Sequence, residues 1–302
     1  MRFAVTGSSG LIGTALIRSL LADGHQVVRL VRRPPQGDGR RADGSTEAHW
    51  DPAHGQADPT ALAGAEAVVH LAGAGVGDHR WTAAYKREIR DSRVLGTAAL
   101  AEALAELDTP PRVLVSGSAI GFYGQAGDRV IDETAAPGDD FLARVSQEWE
   151  DAAQPAADAG IRVVHPRTGL VVAAGGGAWG RLFPIFRLGL GGRLGSGRQY
   201  WSFISLRDEV AALRFLVDRE ELSGPVNLTA PHPVTNREVT AAMGRVLRRP
   251  TPFPVPEAAL RLVLGEFAVE VVGSQRVVPA RLLEAGFRFS DPTIEEAVRA
   301  AR

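Results

Sequence analysis

Three glycines stand near the start of the chain, in the stretch T-G-S-S-G-L-I-G at residues 6–13. An apolar run precedes them, and the amphipathic run L-I-G-T-A-L-I-R-S-L-L-A-D-G follows. The pattern predicts a strand, a tight turn and a helix, and the first backbone N–H groups of such a helix attract an anion. A glycine-rich turn without a ligand is the alternative, but this strand–turn–helix context favours a dinucleotide pyrophosphate.

Each glycine has a physical role in this interpretation. Gly7 permits the tight turn, Gly10 lets the pyrophosphate approach the backbone, and Gly13 lets the helix pack closely on the strand. No Lys follows Gly13, so the turn is not a P-loop. We expect the cofactor to contact six residues of this turn: Gly7, Ser9, Gly10, Leu11, Ile12 and Gly13.

The residues about 20 positions after the glycines indicate which dinucleotide is bound. In NAD-binding folds an acidic side chain there accepts hydrogen bonds from the ribose 2′-hydroxyl. This chain has Arg32 and Arg33 instead, in R-L-V-R-R-P-P, and two guanidinium groups can clamp a 2′-phosphate. A solvated basic loop is the alternative. Because neither position is acidic, we expect NADP.

The elements that position these residues alternate in type over the first 170 residues. Further strands are predicted at 26–31, 65–72, 111–116 and 161–166, helices at 80–107 and 141–159, and a turn-rich stretch around H-W-D-P at 49–52. Such alternation predicts parallel βαβ units, hence a doubly wound Rossmann-type α/β fold. We expect a dinucleotide-binding domain over 1–175, to which 200–230 return, and a smaller substrate-type region over 176–302.

The composition of the chain excludes several classes of partner and of catalytic site. The chain has 302 residues and a formal net charge of −1 with both signs interspersed, so we expect neither nucleic acid nor an anionic membrane as a partner. The absence of cysteine excludes thiol catalysis and thiolate metal sites, and the seven histidines are scattered, so we expect no metal. With no apolar run of about 18 residues and no signal peptide, we expect a cytoplasmic protein, either a monomer or a homodimer.

Longer motifs carry a resemblance to a known family. They are H-L-A-G (70–73), S-R-V-L-G-T (92–97), S-G-S-A-I-G-F-Y-G (116–124) and F-L-A-R-V-S-Q-E-W-E (141–150). The chain resembles extended short-chain dehydrogenase/reductases, and more narrowly the "epimerase family" branch that is similar to nucleoside-diphosphate-sugar epimerases. Two later stretches, 189–199 and 274–289, resemble that branch's central segment and its C-terminal domain of unknown function. The resemblance runs nearly from end to end.

The resemblance implies cofactor contacts beyond the glycine turn. They fall in the loop after the strand at 65–72, on the long helix, at the strand of 111–116, and where a loop after the strand at 161–166 approaches the nicotinamide. The residues at these places are Leu71, Ala72, Gly73, Glu88, Arg93, Ser116, Pro166 and Arg167.

The resemblance also implies a catalytic pattern from which this chain departs. Ser118 stands at the family's catalytic Ser, whereas Leu142 and Ser146 stand where the family has the Tyr and Lys of Y-x-x-x-K. In the family the Lys lowers the pKa of the Tyr so that a phenolate can move a proton. We therefore predict Ser118 as a catalytic residue, with Tyr123 or a bound water as the proton carrier; packing of the Tyr123 ring is the alternative.

Two functions are compatible with these features. One is an NADP-dependent oxidoreductase or epimerase that acts on a nucleotide-sugar or another small polar molecule. The other is an inactive NADP-binding sensor or interaction protein. For a nucleotide-sugar, Arg187, Arg193 and Arg198 are the expected diphosphate partners, or else they cap turns. We expect the carboxylates of Asp132 and Glu133 at the surface.

Overall fold

The computed structural model describes residues 1–52, 56–57 and 59–302. The strands are β1 (Arg2–Val5), β2 (Gln26–Val31), β3 (Thr46–Asp51), β4 (Gln56–Ala57), β5 (Ala67–His70), β6 (Val113–Ser116), β7 (Ser118–Ala119), β8 (Val130–Ile131), β9 (Arg162–Thr168), β10 (Leu170–Val172), β11 (Tyr200–Trp201), β12 (Phe203–Ser205), β13 (Gly224–Leu228), β14 (Val234–Thr235) and β15 (Arg276–Val277). The helices are α1 (Leu11–Ala22), α2 (Pro59–Leu62), α3 (Ala83–Ala105), α4 (Phe141–Asp151), α5 (Gln154–Asp158), α6 (Gly177–Arg187), α7 (Leu206–Asp218), α8 (Asn236–Leu247), α9 (Glu257–Leu264), α10 (Ala268–Val272), α11 (Ala280–Glu284) and α12 (Ile294–Ala300).

One large sheet dominates the fold. Its strand order is β13-β9-β6-β5-β1-β2-β3-β4, and β7 also pairs with β9. Every pairing in it is parallel except that of β3 with β4. The chain runs outward from β1 through β2 and β3 and then returns to the other side of β1 at β5. Ligands of open α/β sheets bind at this kind of reversal, outside the carboxyl ends of the strands. The predicted doubly wound α/β fold is confirmed.

Helices cover both faces of the sheet because successive strand residues point to opposite sides. Phe3 and Val5 of β1 pack in one core, with α1 and α7. Ala4 packs in a second core, beneath α3 and α5. The strands are therefore buried on both faces, as their continuous apolar runs predict.

Two local predictions are wrong. The stretch around 49–52 is not a turn-rich loop, because Thr46–Asp51 forms β3, in which only Trp50 is buried. A strand near the sheet edge with so little burial lacks the apolar run that marks the inner strands. The predicted helix over 141–159 is divided into α4 and α5, with Pro155 in the first turn of α5. Proline suits a helix start and not a helix interior.

A third core fills the C-terminal part of the chain. It is built from aromatic and aliphatic side chains, among them Trp179, Phe183, Phe203 and Met243. The β8–β15 pairing joins residues 130–131 to residues 276–277, so the C-terminal part is hydrogen-bonded to the loop that follows β6 and β7. None of the helices in the described ranges has the length and apolar character needed to cross a lipid bilayer.

Candidate functional site

The turn between β1 and α1 is held by contacts that tolerate only glycine at two positions. Gly7 has φ +62°, and a Cβ on it would lie 2.6 Å from the backbone carbonyl of Leu71. A Cβ on Gly13 would lie 2.3 Å from the carbonyl oxygen of Gly7. Both distances are far below van der Waals contact, so these glycines let the turn pack against α1 and against the loop after β5.

Gly10 differs from the other two glycines of the turn. It has φ −74°, a conformation open to any residue, and a Cβ would meet only the Gly7 carbonyl oxygen, at 3.3 Å. Ser9 and Gly10 are exposed, and α1 begins at Leu11 without a side-chain cap or an acidic residue in its first turn. The start of α1 is therefore exposed and uncapped, and its first backbone N–H groups are available to an anion such as a pyrophosphate.

A buried hydrogen-bond cluster fixes the turn to the loop after β5. The hydroxyl of Thr6 accepts from the N–H groups of Leu71 (3.0 Å) and Ala72 (3.2 Å) and lies 2.7 Å from Nδ1 of His70. With both lone pairs in use, the hydroxyl must donate to Nδ1, so the proton of His70 is on Nε2. Burial lowers the pKa of His70 to about 4, so the ring is neutral at physiological pH.

The basic residues after β2 are not equivalent. Arg32 is exposed, and within the described ranges its side chain has no acidic partner. Arg33 is also exposed, but its Nη2 donates to both carboxylate oxygens of Glu47, at 2.8 and 2.9 Å. Arg29, which no motif singled out, is buried beside the turn and points Nη1 at the carbonyl oxygen of Ser8, 3.4 Å away. The structure thus leaves Arg32 free and pairs Arg33 internally.

Arg93 lies against the loop after β5, where the resemblance places it. Its guanidinium contacts the position of a Gly73 Cβ at 3.2 Å, donates to the carbonyl oxygens of Ala74 and Ile89 at 3.0 Å, and stacks on the Trp149 ring. Burial lowers its pKa to about 10, and no carboxylate in the described ranges pairs with it. A desolvated cation without a counter-ion attracts an anion.

Two other predicted cofactor contacts are placed less favourably. Glu88 lies on the same helix but is exposed, with its side chain turned to solvent. Ser116 is fully buried at the end of β6, opposite His70, and its hydroxyl has no partner in the described part of the chain.

Pro166 and Arg167 do not lie in a loop, contrary to expectation. Both belong to β9, which runs on to Thr168, and they pair with Val226 and Asn227 of β13. The strand extends further because β13 comes back to pair with it, which a local pattern cannot indicate. Arg167 is buried and bonded to protein groups, so its guanidinium is not presented to a nicotinamide.

Ser118 belongs to a buried polar network centred on a carboxylate. Its hydroxyl donates to Oε1 of Glu150 at 2.6 Å. Arg167 donates to the same carboxylate through Nε (2.8 Å) and Nη2 (2.7 Å). Burial alone would lower the pKa of Arg167, but the hydrogen bonds and charge of Glu150 hold it above its ordinary value. The pair therefore stays charged, and the single proton of Ser118 is directed at Glu150.

Tyr123, the other predicted catalytic residue, continues this network. Its hydroxyl accepts from Nη1 of Arg167 at 3.0 Å and donates to Oδ1 of Asn227 at 2.7 Å. Burial raises the pKa of Tyr123, although the neighbouring Arg167 opposes the shift. Tyr123 is thus a phenol at neutral pH. The structure brings Ser118 and Tyr123 together through Glu150 and Arg167, on a side away from bulk solvent.

The network reaches the C-terminal part of the chain through Glu133. This residue is buried, contrary to the expected surface position, and its Oε1 accepts from the N–H groups of Asn227 (2.9 Å) and Arg281 (3.3 Å). Burial raises the pKa of Glu133. Asn227 also donates to the carbonyl oxygen of Val278 at 3.0 Å. Asp132 is half-buried and caps the following turn at Thr134.

The positions of the family's Tyr and Lys lie on the helix beside this network. Leu142 and Ser146 of α4 lie against the turn of 3₁₀-helix at Ile120–Tyr123, with Leu142 Cβ 3.5 Å and Ser146 Oγ 3.9 Å from the position of a Gly121 Cβ. The helix is in place, but it carries neither a phenol nor an amine there. The departure from the catalytic pattern is therefore one of side chains and not of the fold.

The arginines of the glycine-dense segment fit the role of turn caps. Arg193 donates to the carbonyl oxygens of Gly195 and Ser196, at 3.4 and 2.9 Å. Arg187 stacks on Phe183 within α6, and Arg198 is exposed. Arg193 also lines a cleft of about 390 Å³ with Arg237, in the C-terminal part of the chain.

Sequence reasoning missed Glu150, Asn227, Thr6 and Arg29. Glu150 is the last residue of the motif F-L-A-R-V-S-Q-E-W-E at 141–150, so a signal for it was present in the sequence. Asn227 has no local signal, because its partner Tyr123 is 104 positions away. Thr6 immediately precedes the first glycine, where a hydroxyl can bind the loop of a neighbouring strand.

Comparison with known proteins places the chain in a family. The family model described as "NAD dependent epimerase/dehydratase family" matches residues 3–228, and one described as "Domain of unknown function (DUF1731)" matches residues 255–301. An epimerase family protein of Mycobacterium bovis is 48% identical over 296 residues, which cover 98% of this chain and 95% of that protein. Epimerase family protein SDR39U1 of Homo sapiens is 33% identical over 303 residues, 99% of each chain.

Solved structures agree with this assignment. The crystal structure of human epimerase family protein SDR39U1 (isoform 2) with NADPH matches with a TM-score of 0.89 and 32% identity, covering 100% of this chain and 99% of that one. MoeE5 in complex with UDP-glucuronic acid and NAD matches with a TM-score of 0.78 over 99% and 96% of the two chains, and at 23% identity it shows the fold alone. The resemblance read from the motifs is confirmed, and the chain belongs to the NAD-dependent epimerase/dehydratase family.

Proposed function

We propose that this chain is an NADPH-binding, epimerase-like oxidoreductase that acts on a nucleotide-sugar or another small polar substrate. The observation that carries the proposal is the exposed, uncapped helix start at Gly10, next to Gly7 and Gly13, where packing leaves no room for a side chain. The backbone N–H groups of Leu11 and Ile12 at the start of α1 bind the pyrophosphate. Arg93 of α3, packed against the loop after β5, adds a desolvated positive charge.

Arg32 supports NADPH over NADH. It is exposed at the end of β2, has no acidic partner in the described ranges, and stands where NAD-binding folds have an acid. A charge-assisted hydrogen bond from such a guanidinium to a 2′-phosphate strengthens binding about ten- to a hundredfold. The structure of the human relative with NADPH supports the same cofactor.

Ser118 is the residue we assign to the substrate. A bound nicotinamide supplies a hydride acceptor or donor. Ser118 donates its hydroxyl proton in a hydrogen bond to Glu150. The oxygen of Ser118 is therefore left as an acceptor, and it orients a substrate hydroxyl that donates to it. Tyr123 keeps its proton, and Leu142 and Ser146 provide no tuned phenol. We therefore expect slow turnover, about 10²- to 10⁴-fold below that of an enzyme with a matched base.

A second function is favoured by one specific observation. The hydroxyl protons of Ser118 and Tyr123 are both donated to protein groups, so the reactive end is satisfied without a substrate. This is the arrangement expected of a protein that binds NADPH and responds to it without turnover.

The test combines binding with turnover. NADPH and NADH are titrated into the purified protein by fluorescence, and the wild type is expected to bind NADPH at least tenfold more tightly, a preference that Arg32→Ala reduces. The absorbance of the reduced nicotinamide is then followed with nucleotide-sugars and simple carbonyl compounds. Equal affinity for the two cofactors contradicts the NADPH proposal. Tight binding of NADPH without oxidation by any compound supports the second function.

A further inference from the structure

The carboxylate of Glu47 lies beneath two arginines of the loop that follows β2. Its side chain is only 5% exposed, whereas those of Arg33 and Arg41 are 53% and 43% exposed. Arg33 donates to both of its oxygens through Nη2, and Arg41 donates to Oε1 through Nη1. The buried carboxylate of Glu47 therefore holds the two half-exposed guanidinium groups in position.

This cluster lies on the side of the sheet where the glycine turn is. Glu47 of β3 pairs in register with Arg29 of β2, so the two side chains leave the same face of the sheet. Arg29 in turn reaches the carbonyl oxygen of Ser8 within the turn. Arg32 and Arg33 follow β2 directly. The Glu47 cluster is therefore next to the strand end where a ribose 2′-phosphate is expected.

The charges of the cluster define a competition. The guanidinium groups of Arg33 and Arg41 and the carboxylate of Glu47 together carry a net charge of +1. Nη2 of Arg33 already donates to Glu47. A phosphate dianion that binds Arg33 must share it with Glu47 or displace Glu47, and the nearby carboxylate repels the phosphate as well. Arg32 has no such competitor. Glu47 thus weakens the attraction of this loop for a phosphate while it keeps the loop folded on β3.

We propose that Glu47 is a specificity-determining residue that limits the preference of the site for NADPH over NADH by holding Arg33 and Arg41. The proposal rests on the NADPH binding proposed above. It implies that Arg32 supplies most of the wild-type preference and that Arg33 contributes fully only when Glu47 is neutral.

The experiment measures the NADPH and NADH dissociation constants of Glu47→Gln by fluorescence titration. The amide keeps the shape and removes the charge, so the ratio of NADH to NADPH dissociation constants is expected to rise about three- to tenfold, mainly through tighter NADPH binding. Asp38→Asn is the matched control, because it makes the same change of charge in the same loop at an exposed pair with Arg40. We expect it to change the ratio less than about twofold.

Arg33→Ala in both backgrounds sharpens the test. It should lower the ratio only slightly in the wild type and about three- to tenfold in Glu47→Gln, because Arg33 is released there. A ratio that is unchanged or lower in Glu47→Gln, or that rises equally in Asp38→Asn, overturns the role of Glu47. Should Glu47→Gln not fold, Arg41→Ala is compared with Arg40→Ala. The ratio should fall more in Arg41→Ala, since Glu47 then holds Arg33 alone, and an equal fall overturns the proposal.

The outcomes separate this inference from the proposed function. Wild-type protein that binds NADPH and NADH equally contradicts the proposed function. A wild-type preference that Arg32→Ala abolishes and Glu47→Gln leaves unchanged contradicts only the role of Glu47.

Discussion

The glycine turn and the Ser118 network both follow the carboxyl ends of strands of one sheet, but they are built from different parts of the chain. The turn acts through its backbone: it is exposed at Gly10, and it packs closely at Gly7 and Gly13 because these residues have no side chains. The network consists of side chains: Ser118, Glu150, Arg167 and Tyr123 are hydrogen-bonded in a buried cluster. The turn leaves the start of α1 without a side-chain cap, whereas the side chains of the network have partners within the protein. The proposed binding at the turn and the proposed turnover at the network can therefore be tested separately.

The largest effect on cofactor binding is expected at the glycine turn. Gly10→Val places a branched side chain beside the exposed helix start and should weaken NADPH binding at least about a hundredfold, since it removes two or more charge-assisted hydrogen bonds to the pyrophosphate. The φ of −74° at Gly10 is compatible with valine, but the new Cβ would lie 3.3 Å from the Gly7 carbonyl oxygen, so circular dichroism should stay close to that of the wild type while the unfolding midpoint falls slightly. NADPH binding that survives this change would place the cofactor elsewhere.

Gly13→Ala is the contrasting variant. Its Cβ would lie 2.3 Å from the Gly7 carbonyl oxygen, so we expect a loss of stability of about 1–3 kcal/mol or more in urea unfolding. A stable Gly13→Ala protein would show that the turn has more freedom than its packing indicates.

The largest effect on the free energy of unfolding is expected in the Ser118 network. Glu150→Ala leaves Arg167 buried and without a counter-ion, which should lower the free energy of unfolding by about 3–5 kcal/mol. Glu148→Ala, on the same helix, breaks a half-exposed pair with Arg90 and should cost about 0–1 kcal/mol. Urea unfolding of the two variants compares a buried with an exposed pair. Equal losses would mean that water reaches the network, contrary to its buried position.

Stability should depend on pH through His70, which is hydrogen-bonded to Thr6 beside the glycine turn. The pKa of His70 is about 4 in the folded protein and about 6.5 when unfolded, so the unfolded chain binds more protons between these values. The contribution of His70 to stability is fully present above pH 6.5 and is lost as the pH falls toward 4, by about 3 kcal/mol in total.

His70→Asn tests this slope. The amide oxygen can still accept from Thr6, and the variant does not titrate in this range. The difference in unfolding free energy between wild type and variant should change steadily between pH 6.5 and 4 and stay level above. A difference independent of pH would mean that His70 is not buried as a neutral ring.

The glycine turn is predictable from the sequence for a physical reason. Its residues are contiguous, Gly7 has a left-handed backbone conformation that favours glycine, and Gly13 packs where a side chain would clash. The inner strands are also predictable, because burial on both faces demands apolar runs such as Val-Leu-Val at the start of β6. β3 was missed for the converse reason, since its sequence is mostly polar and its residues other than Trp50 are only half-buried.

The reactive end is only partly predictable. Ser118 and the loss of the Tyr–Lys pair follow from motif comparison, but the partners of Ser118 and Tyr123 do not. Glu150 is 32 positions from Ser118, and Asn227 reaches Tyr123 because β13 pairs with β9 at the edge of the sheet. Their meeting depends on tertiary pairing that no local pattern encodes, and burial then reverses the surface position expected for Glu133.

The smallest effect is expected at Tyr123, and it decides whether the network is structure or machinery. Tyr123→Phe keeps the ring but removes the partner of Arg167 Nη1 and of Asn227 Oδ1, so stability should fall by about 1–3 kcal/mol. Because burial raises the pKa of Tyr123, the phenol does not ionise at neutral pH to act as a base, and any turnover should keep its rate and pH profile. Tyr200→Phe, which keeps the ring beneath Arg276, is the control and should cost less than about 0.5 kcal/mol. Urea unfolding and the pH profile of nicotinamide absorbance check both expectations. If Tyr123→Phe stopped turnover without loss of stability, the phenol would be the proton carrier after all, and the network would belong to the chemistry.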